Sequence, residues 1–479
     1  MVKKVVIFGA GSGGEKMYNF IRQFSGYDIY CFLDNNPKVD VFLGLNIIRA
    51  NEFLKTTDKN QYYYCIGSIY KDEIYDQLVK ANIDPSHIYS KINFIIENKK
   101  IFMDKILNSE YKIGSIVYNN KSNVIFDLLN GFVLGGVEKW SYNLTSKYSS
   151  KREVFLLGNQ SEGNPPEEFE KKVCRVDVTD SMDYGIESIR KIMDFIILKL
   201  PCTVYCAHVN NLLIACIALK QKVGDKLKIV SVIHGGLHYI LRDNIAVYDY
   251  VDYCLCVSVD SKKYLEEKIT GASNKILFKE TPVIIPCLNE RKYTLNKQQP
   301  LKIAYAARLD KIHKRADLLI PFINALEDEH INYQLDIAGN GVLFEIVLEF
   351  VNSNNLQEKV RMLGKLDFNE MEQFWLNHDV AVNFSESEGC SLAMLESMAA
   401  ATVPIFTDVF STRHFIIDEW NGFVISFGDL DKMIGYVKEL DYDRKKLQVM
   451  GQRAYKTIKE KCDLDKYIDY LDSNIEFYS

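Results

Sequence analysis

The chain has 479 residues, of which 47% are hydrophobic, 25% charged and 12% aromatic. This composition is typical of a globular protein and excludes a disordered or fibrous chain. A chain of this length divides into about three domains. The 64 acidic residues outnumber the 58 basic ones and give a net charge of −6. The balance argues against a protein that binds nucleic acid or a membrane through a basic field.

The cysteines and the apolar runs of the sequence indicate in which cellular compartment the protein is expected. The eleven cysteines form no CxxC pair and several stand in apolar, strand-like runs. We therefore expect buried, reduced thiols and a cytoplasmic location. The apolar run near the first residue is too short for a signal peptide, and no apolar run reaches the roughly 18 residues of a membrane-spanning helix. Peripheral contact with the inner face of the membrane stays open.

Residues 1–112 alternate between strand-like and helical patterns. This alternation predicts a small Rossmann-like domain with a parallel sheet and right-handed crossovers. The predicted strands cover residues 5–8, 28–33 and 62–66, and the predicted helices cover 15–24 and 72–79. We expect this domain to be a module separate from the chemistry of the rest of the chain.

Residues 113–285 and 286–460 repeat the alternation, with a proline-containing linker near 282–300 between them. The fold class is therefore α/β, with three Rossmann-like domains. Residues 461–479 have helical spacing, and we expect this helix to cross back onto the 113–285 domain. The predicted strands of the two larger domains are 123–129, 154–157, 203–207, 228–233, 253–258, 301–306, 334–338, 360–363, 380–384 and 404–406.

A GxGxxG motif follows the first predicted strand, with glycines at 9, 11 and 14. Gly9, Gly11 and Gly14 would let a pyrophosphate approach helix amides, and Asp34, at the end of the next strand, could accept from ribose hydroxyls. Glycines also suit a bare strand-turn-helix connection, so a nucleotide site and a purely structural turn both remain open. An NAD-dependent sugar-nucleotide enzyme would rest on this segment alone, which lacks a Tyr-xxx-Lys pair.

In the second domain, Gly135 and Gly136 stand at the start of a predicted helix, followed closely by Glu138. A glycine pair there can bring backbone donors against a phosphate or sugar, or it can simply form a loop. His208 and His234 each follow a predicted strand. Open α/β sheets bind ligands at the carboxyl ends of their strands, so two histidines at equivalent ends favour a functional role over a structural one.

The third domain offers two cations at one sheet edge. Arg308 ends a predicted strand, and Lys314 is predicted to begin the next helix. Two cations so placed suit a diphosphate, although neighbouring basic residues also fit a solvated face. Gly339 and Gly341 follow the next strand and predict a tight turn beneath a ligand.

Two glutamates follow another strand of the third domain. Glu388 and Glu396 are separated by seven residues, and a helix is predicted to start near the middle of that interval. A loop glutamate and a helical glutamate at this spacing can face the same groove. The helix start could also direct amides at a diphosphate. Those amides belong to Gly389, Cys390, Ser391 and Leu392.

These motifs together resemble the retaining nucleotide-sugar glycosyltransferases of the GT-B fold, in particular the large group 1 family, also called family four. The resemblance covers about residues 115–460 and implies two Rossmann-like domains with the donor in the cleft between them. The family usually has a glycine where this chain has Ala307, and the interval from Arg308 to Lys314 is one residue longer than common. Residues 1–112 resemble the small Rossmann-like domain of bacterial sugar acyltransferases.

The resemblance also implies roles. Arg308 and Lys314 would hold the donor diphosphate. Glu396 would bond the ribose, Glu388 would contact the sugar, and His234 would line the reaction centre. The glycine pair at 135–136 would adjoin the donor, while Glu138 and His208 would lie on the acceptor side.

The implied reaction is a retaining transfer without a resident cofactor or metal ion. The donor is a nucleotide sugar, with a UDP-sugar favoured over a GDP-sugar, and the acceptor is a glycan, a lipid-linked sugar or another cell-surface polysaccharide. The rival hypothesis is an inactive transferase-like subunit that binds a partner or glycan. Loss of Arg308 or of a glutamate would mark such a subunit, and the sequence retains them. The sequence does not indicate an oligomeric state.

Overall fold

A computed structural model describes residues 2–68, 70–108, 122–132, 135–149, 152–160, 165–178, 180–271, 274–367 and 369–476. The domain boundary predicted at 112–113 lies outside these residues. Three separate sheets carry the fold, each built from buried apolar strands joined by helices. The chain is thus an α/β protein with three Rossmann-like sheets, as the sequence predicts.

The first sheet has six strands in the order β3-β4-β2-β1-β5-β6, parallel except for the β3–β4 pair. Its strands are β1 Lys3–Phe8, β2 Tyr27–Asp34, β3 Val41–Phe42, β4 Leu45–Arg49, β5 Tyr63–Ile66 and β6 Ile88–Tyr89. Its helices are α1 Ser12–Ile21, α2 Ala50–Phe53, α3 Lys71–Lys80, α4 Lys91–Glu97 and α5 Lys99–Ile106.

The second sheet has seven parallel strands in the order β13-β12-β11-β10-β7-β8-β9. Its strands are β7 Asn123–Leu128, β8 Glu153–Asn159, β9 Val173–Val176, β10 Cys202–Cys206, β11 Leu227–Ile233, β12 Tyr253–Cys256 and β13 Ile276–Phe278. Its helices are α6 Gly136–Tyr148, α7 Ile186–Ile197, α8 Asn211–Val223, α9 His238–Val247 and α10 Val259–Lys268.

The third sheet has six parallel strands in the order β16-β15-β14-β17-β18-β19. Its strands are β14 Leu301–Ala306, β15 Tyr333–Ala338, β16 Val360–Gly364, β17 Val380–Asn383, β18 Val403–Thr407 and β19 Phe423–Ile425. Its helices are α11 Leu319–Asp328, α12 Phe344–Ser353, α13 Glu370–Leu376, α14 Leu392–Ala399, α15 Thr412–Phe415, α16 Leu430–Tyr442 and α17 Arg444–Lys461, and α18 Leu464–Asn474 follows.

Helix α18 packs on the second sheet rather than on the third. The indole of Trp140 in α6 donates a hydrogen bond to the Tyr467 hydroxyl in α18 at 3.2 Å. Just beyond the helix, the Glu476 carboxylate accepts hydrogen bonds from Thr203 at 2.8 Å and Tyr205 at 2.5 Å, both in β10. The end of the described chain therefore ties the third domain back to the second.

The first domain also packs closely against the second. One apolar core runs from the helices of the first sheet into α7 and α8, and the rings of Phe20 and Tyr184 meet edge to face at 6.0 Å. The Arg190 guanidinium donates to the carbonyls of Lys105 and Ile106, both at 2.9 Å. The first domain therefore shares a core with the second, and its separation from the chemistry stays a prediction.

Among the described residues, we find no helix both long enough and apolar enough to cross a membrane.

Candidate functional site

The donor-side residues meet at one edge of the third sheet. Strands β15, β14 and β17 are neighbours, and Gly339, Arg308 and Glu388 lie in the segments that follow them. Because the carboxyl ends of parallel strands lie at the same edge, the three segments form one wall of a cleft.

Lys314 and Glu388 form an ion pair in this wall. The Lys314 Nζ lies 2.5 Å from Glu388 Oε1, and the side chains are only 22% and 11% exposed. The Ser385 hydroxyl donates to the same carboxylate oxygen at 2.8 Å. A cation and a carboxylate held this closely supply both a donor for phosphate and an acceptor for hydroxyl groups.

The prediction that Lys314 begins a helix is wrong. Helix α11 begins only at Leu319, after a single 3₁₀ turn. His313 and Arg315 adopt left-handed backbone angles, with φ of 68° and 49°, and such angles do not continue into an α-helix. The Glu386 amide donates to the His313 carbonyl at 2.7 Å, so the loop carries Lys314 to Glu388.

Arg308 projects from the same edge. Its side chain is 68% exposed, and Nη2 lies 3.5 Å from Asp310 Oδ2. Burial raises the pKa of Glu138 in the opposite domain, and the positive charge of Arg308 opposes a small part of this shift. The guanidinium is thus placed toward the cleft with donors facing solvent, as an anion site requires.

Gly339 and Gly341 let the loop after β15 lie on the Arg308 segment. Their φ angles are 136° and 153°. A Cβ atom at Gly339 would lie 1.9 Å from the Ala307 carbonyl oxygen, and one at Gly341 would lie 2.5 Å from that of Leu309. Neither position tolerates a side chain without moving the backbone beneath Arg308.

Glu396 is held from both sides of the cleft. Its Oε1 lies 2.5 Å from Lys139 Nζ of α6, and its Oε2 accepts from the Trp375 indole at 3.2 Å. The Ser391 hydroxyl caps the start of α14 by accepting from the Met394 amide at 3.4 Å. Glu396 lies about one turn into this capped helix.

A pocket of about 100 Å³ lies beside Glu396. Small-molecule sites usually have about 300–1,000 Å³, so this pocket has room for only part of such a ligand. Both larger domains and the linker between them contribute to it. Its lining residues are Lys139, Ile284, Pro286, Asn369, Met371, Glu372, Trp375, Glu396 and Ala400.

The start of α6 forms part of the opposite wall. The Gly135 amide donates to Glu138 Oε2 at 3.1 Å, which satisfies one backbone donor at the helix N-terminus. Burial raises the pKa of Glu138 to about 7. A Cβ atom at Gly136 would lie 3.9 Å from the Leu392 side chain, so the glycine pair faces the start of α14.

His208 lies beside a buried carboxylate at the edge of the second sheet. Asp127, in β7, accepts hydrogen bonds from the Ala207 amide at 3.2 Å and the Asn210 side chain at 2.9 Å. Burial raises the pKa of Asp127 and lowers that of His208, and the attraction between the two groups opposes both shifts. The two hydrogen bonds to Asp127 hold the loop after β10 against the end of β7.

His234 is a neutral imidazole at the centre of the cleft. Burial lowers its pKa to about 3, and its ring packs edge to face on Trp140 at 5.1 Å. Within the part of the chain that the structure describes, the buried Nε2 has no hydrogen-bond partner. An unsatisfied ring nitrogen is a hydrogen-bonding group ready for a ligand.

The two walls touch around His234. A Cβ atom at Gly389 would lie 2.0 Å from the His234 carbonyl oxygen, and one at Gly236 would lie 2.6 Å from that of Glu388. The contact needs glycine on both sides. Burial raises the pKa of the adjacent Cys390 to about 12, so its thiol stays protonated and is no nucleophile at neutral pH.

In the first domain, packing accounts for two of the three motif glycines. A Cβ atom at Gly14 would lie 2.0 Å from the Gly9 carbonyl oxygen, and one at Gly9, where φ is 113°, would lie 2.7 Å from that of Gly67. Gly11 faces open space. Asp34 accepts from the Ala10 amide at 3.2 Å, so a nucleotide site here stays a prediction.

Three residues of this site are not predicted from the sequence. They are Asp127, which lies within a predicted strand, Lys139 and Trp375. Asp127 could have been found as a charged residue near the end of an otherwise apolar strand. Nothing local marks Lys139 or Trp375, because their partner Glu396 is far away in the chain. In the described ranges, no group of three or more His, Cys, Asp or Glu side chains is placed to hold a metal ion.

Residues 288–457 match the model of the family described as glycosyl transferases group 1. A protein from Bacillus anthracis, N-acetyl-alpha-D-glucosaminyl L-malate synthase, is 21% identical over 267 residues, which cover 53% of this chain and 69% of that protein. These matches confirm the resemblance that the motifs predict for the two larger domains. These matches do not test the resemblance of residues 1–112 to sugar acyltransferases, which stays a prediction.

Solved structures share the fold of the two larger domains. The Anabaena protein HepE in complex with UDP aligns with a TM-score of 0.59 at 14% identity, over 74% of this chain and 100% of that one. The lipopolysaccharide outer core galactosyltransferase WaaB aligns with a TM-score of 0.55 at 19% identity, over 74% of this chain and 100% of its own. The fold is therefore GT-B.

Proposed function

We propose that the protein is a retaining glycosyltransferase that moves a sugar from a nucleotide-diphosphate donor to a glycan, lipid-linked or other cell-surface polysaccharide acceptor. The observation that carries the proposal is the ion pair of Lys314 and Glu388. The Glu388 backbone packs against the loop that carries His234, and Glu396 lies in the same donor-side wall. This combination provides cations for a diphosphate and uncharged or anionic acceptors for hydroxyl groups.

The donor in this proposal is a UDP-sugar. HepE has been solved with UDP and with UDP-glucose, which supports the class of donor. In our assignment Arg308 and Lys314 bind the diphosphate, assisted by the amides of residues 389–392 at the start of α14. Glu396 accepts from the ribose hydroxyls beside the pocket that it lines, and Glu388 accepts from the sugar.

The proposed chemistry occurs on one face of the sugar. The bond from the anomeric carbon to the diphosphate oxygen breaks with its electron pair on the leaving group, while the acceptor oxygen bonds to the same face of that carbon. The acceptor proton passes to the departing phosphate oxygen. Arg308 and Lys314 act by stabilising the charge that grows on the diphosphate, and the proposal requires no metal ion.

His234 has a positioning role in this reaction. Because burial lowers its pKa to about 3, the ring is uncharged at neutral pH and can accept or donate one hydrogen bond at Nε2. It would orient a sugar hydroxyl and would not compete with the diphosphate for the cations. Glu138 and Asp127 with His208 are assigned to the acceptor side, where the edge of the second sheet opens.

The acceptor class is supported by a structural relative. WaaB is described as a lipopolysaccharide outer core galactosyltransferase, which is consistent with a cell-surface glycan as acceptor. We also place the reaction in a reducing compartment, since all eleven cysteines are free and most are buried. In the rival hypothesis, an inactive subunit, the same cleft would bind a ligand without turnover.

A hydrolysis screen tests the proposal. Purified full-length protein is incubated with UDP-, GDP-, ADP- and TDP-sugars, and the released nucleotide is measured. We expect release from at least one UDP-sugar, reduced strongly in Arg308→Ala. Binding of UDP without hydrolysis or transfer to any glycan acceptor would favour the inactive subunit, and the absence of nucleotide binding would contradict the proposed function.

A further inference from the structure

Helix α9 begins directly after the loop that carries His234. The intervening residues are Gly235, Gly236 and Leu237. None of the three has a side chain that can accept a hydrogen bond, so this segment cannot cap its own helix. The first amides of an α-helix have no partner within the helix, and leaving them unsatisfied is unfavourable.

The missing cap comes from the first domain. Asp72, in α3, accepts hydrogen bonds from the backbone amides of His238 and Tyr239, both at 3.0 Å, one at each carboxylate oxygen. A carboxylate at this position also interacts favourably with the positive end of the helix dipole. Asp72 therefore caps α9, although it lies 166 and 167 positions away in sequence from the two residues whose amides it binds.

Neighbouring contacts hold Asp72 in place. The Arg242 guanidinium of α9 lies 3.6 Å from Asp72 Oδ1 and stacks on the Tyr75 ring at 3.4 Å. The Lys71 ammonium lies over the Tyr239 ring at 4.5 Å. Besides the cap, Lys71 and Tyr75 of α3 thus contact Tyr239 and Arg242 of α9.

The capped segment leads straight to the reaction centre. Gly236 lies against the Glu388 carbonyl, and the His234 carbonyl lies against Gly389, at distances that exclude any side chain. A shift of α9 by an ångström would move these contacts, since both are already at the limit of approach. The position of the 234–237 loop therefore depends on where α9 begins.

We propose that Asp72 is a positioning residue for the reaction, through which the first domain fixes the 234–237 loop against the donor-side wall. The proposal rests on the function proposed above. It assigns the first domain a part in the active site that its glycine motif does not indicate. Asp72 contacts no reacting group in this account and acts through α9.

Full-length Asp72→Ala, Asp72→Asn and the control Glu73→Ala test the proposal. Glu73 is the next carboxylate on α3 and is exposed. For Asp72→Ala we expect the kcat of UDP-sugar hydrolysis to fall by about five- to tenfold. This factor corresponds to the free energy that a helix cap usually contributes, applied to the barrier of the reaction. The Kd for UDP should stay within about twofold of wild type. Asparagine also caps helices but offers one acceptor oxygen in place of two, so Asp72→Asn should recover only part of the rate.

Amide hydrogen exchange supplies a readout that does not depend on turnover. Asp72→Ala should speed exchange at residues 234–241 by about tenfold and leave α12 and α14 unchanged, whereas Glu73→Ala should change neither region. Unchanged exchange in Asp72→Ala, or faster exchange with an unchanged kcat, would overturn the proposal. A wild-type chain that binds UDP but hydrolyses no donor would overturn the proposed function, and the exchange rates would still decide whether Asp72 holds the loop.

Discussion

Lys139 and Glu396 form an ion pair across the cleft, with Nζ 2.5 Å from Oε1 and side chains only 16% and 13% exposed. Lys139 belongs to α6 and Glu396 to α14, so the carboxylate that we assign to the donor ribose also joins the two larger domains. The Trp375 indole holds the other oxygen. Donor binding and closure of the cleft therefore depend on the same side chain.

Replacing Glu396 with Ala should weaken donor affinity by about 1.5–3 kcal/mol, because ribose hydroxyls lose an ionised acceptor in a mostly buried site. Calorimetric titration with UDP measures this change. Lys139→Met combined with Glu396→Gln removes both charges of the pair and serves as the control for a structural effect. Recovery of UDP affinity in that double variant would contradict the ribose assignment.

Arg308→Ala should lower kcat by about a hundredfold, since the charge that Arg308 stabilises grows as the bond to the diphosphate breaks. The side chain is 68% exposed, so the folding stability should change little. Arg413, which is similarly exposed and pairs with Asp408, provides a matched arginine control. If Arg308→Ala changed only KM, its role in the transition state would be wrong.

Lys314→Met should destabilise the fold by about 3 kcal/mol, because it leaves the Glu388 carboxylate unpaired in a largely buried place. Adding Glu388→Gln should restore most of the free energy of unfolding without restoring activity. Urea denaturation and donor hydrolysis measured on the same samples separate the two effects. An active double variant would show that the pair is structural.

Glu138 should make the folded state less stable as pH rises. Its pKa is raised from 4.5 to about 7 by burial, so the folded protein retains a proton that the unfolded chain loses. The resulting stabilisation is complete below pH 4.5 and is lost as pH rises to about 7. Relative to wild type, Glu138→Gln should gain up to about 3 kcal/mol of unfolding free energy between pH 4.5 and 8. Parallel stability curves would contradict the raised pKa.

Activity should survive chelation of divalent ions, because protein cations are proposed to neutralise the diphosphate. The measurement is donor hydrolysis after dialysis against EDTA, with and without added manganese. We expect the same rate in both samples within about twofold. A rate abolished by EDTA and rescued by manganese would show that the diphosphate is held in another way.

The strands could be predicted from the sequence because central strands of parallel sheets are buried on both faces and appear as uninterrupted apolar runs. Residues 301–306, for example, form β14 with the predicted bounds. The pattern of Glu388 and Glu396 could be recognised for a similar reason, since strand, loop and helix stand close together in the chain. The sequence pattern predicts these features because the residues that form each of them are close together in the chain.

Other features could not be predicted because their causes lie far away in sequence or run against residue preferences. Left-handed angles at His313 and Arg315 occur at residues that rarely adopt them, so the loop before α11 looked helical. The cap on α9 comes from Asp72, and nothing near His238 indicates it. The shared core of the first two domains likewise depends on packing that no single segment encodes.

A crystal structure of the full-length chain with UDP tests the central claim most directly. We predict the diphosphate within hydrogen-bonding distance of Arg308 and Lys314, and the ribose hydroxyls on the Glu396 carboxylate with Lys139 at the edge of the site. UDP bound only at the Gly9–Gly14 turn of the first domain, or in the cleft without contact to Glu396, would contradict the account.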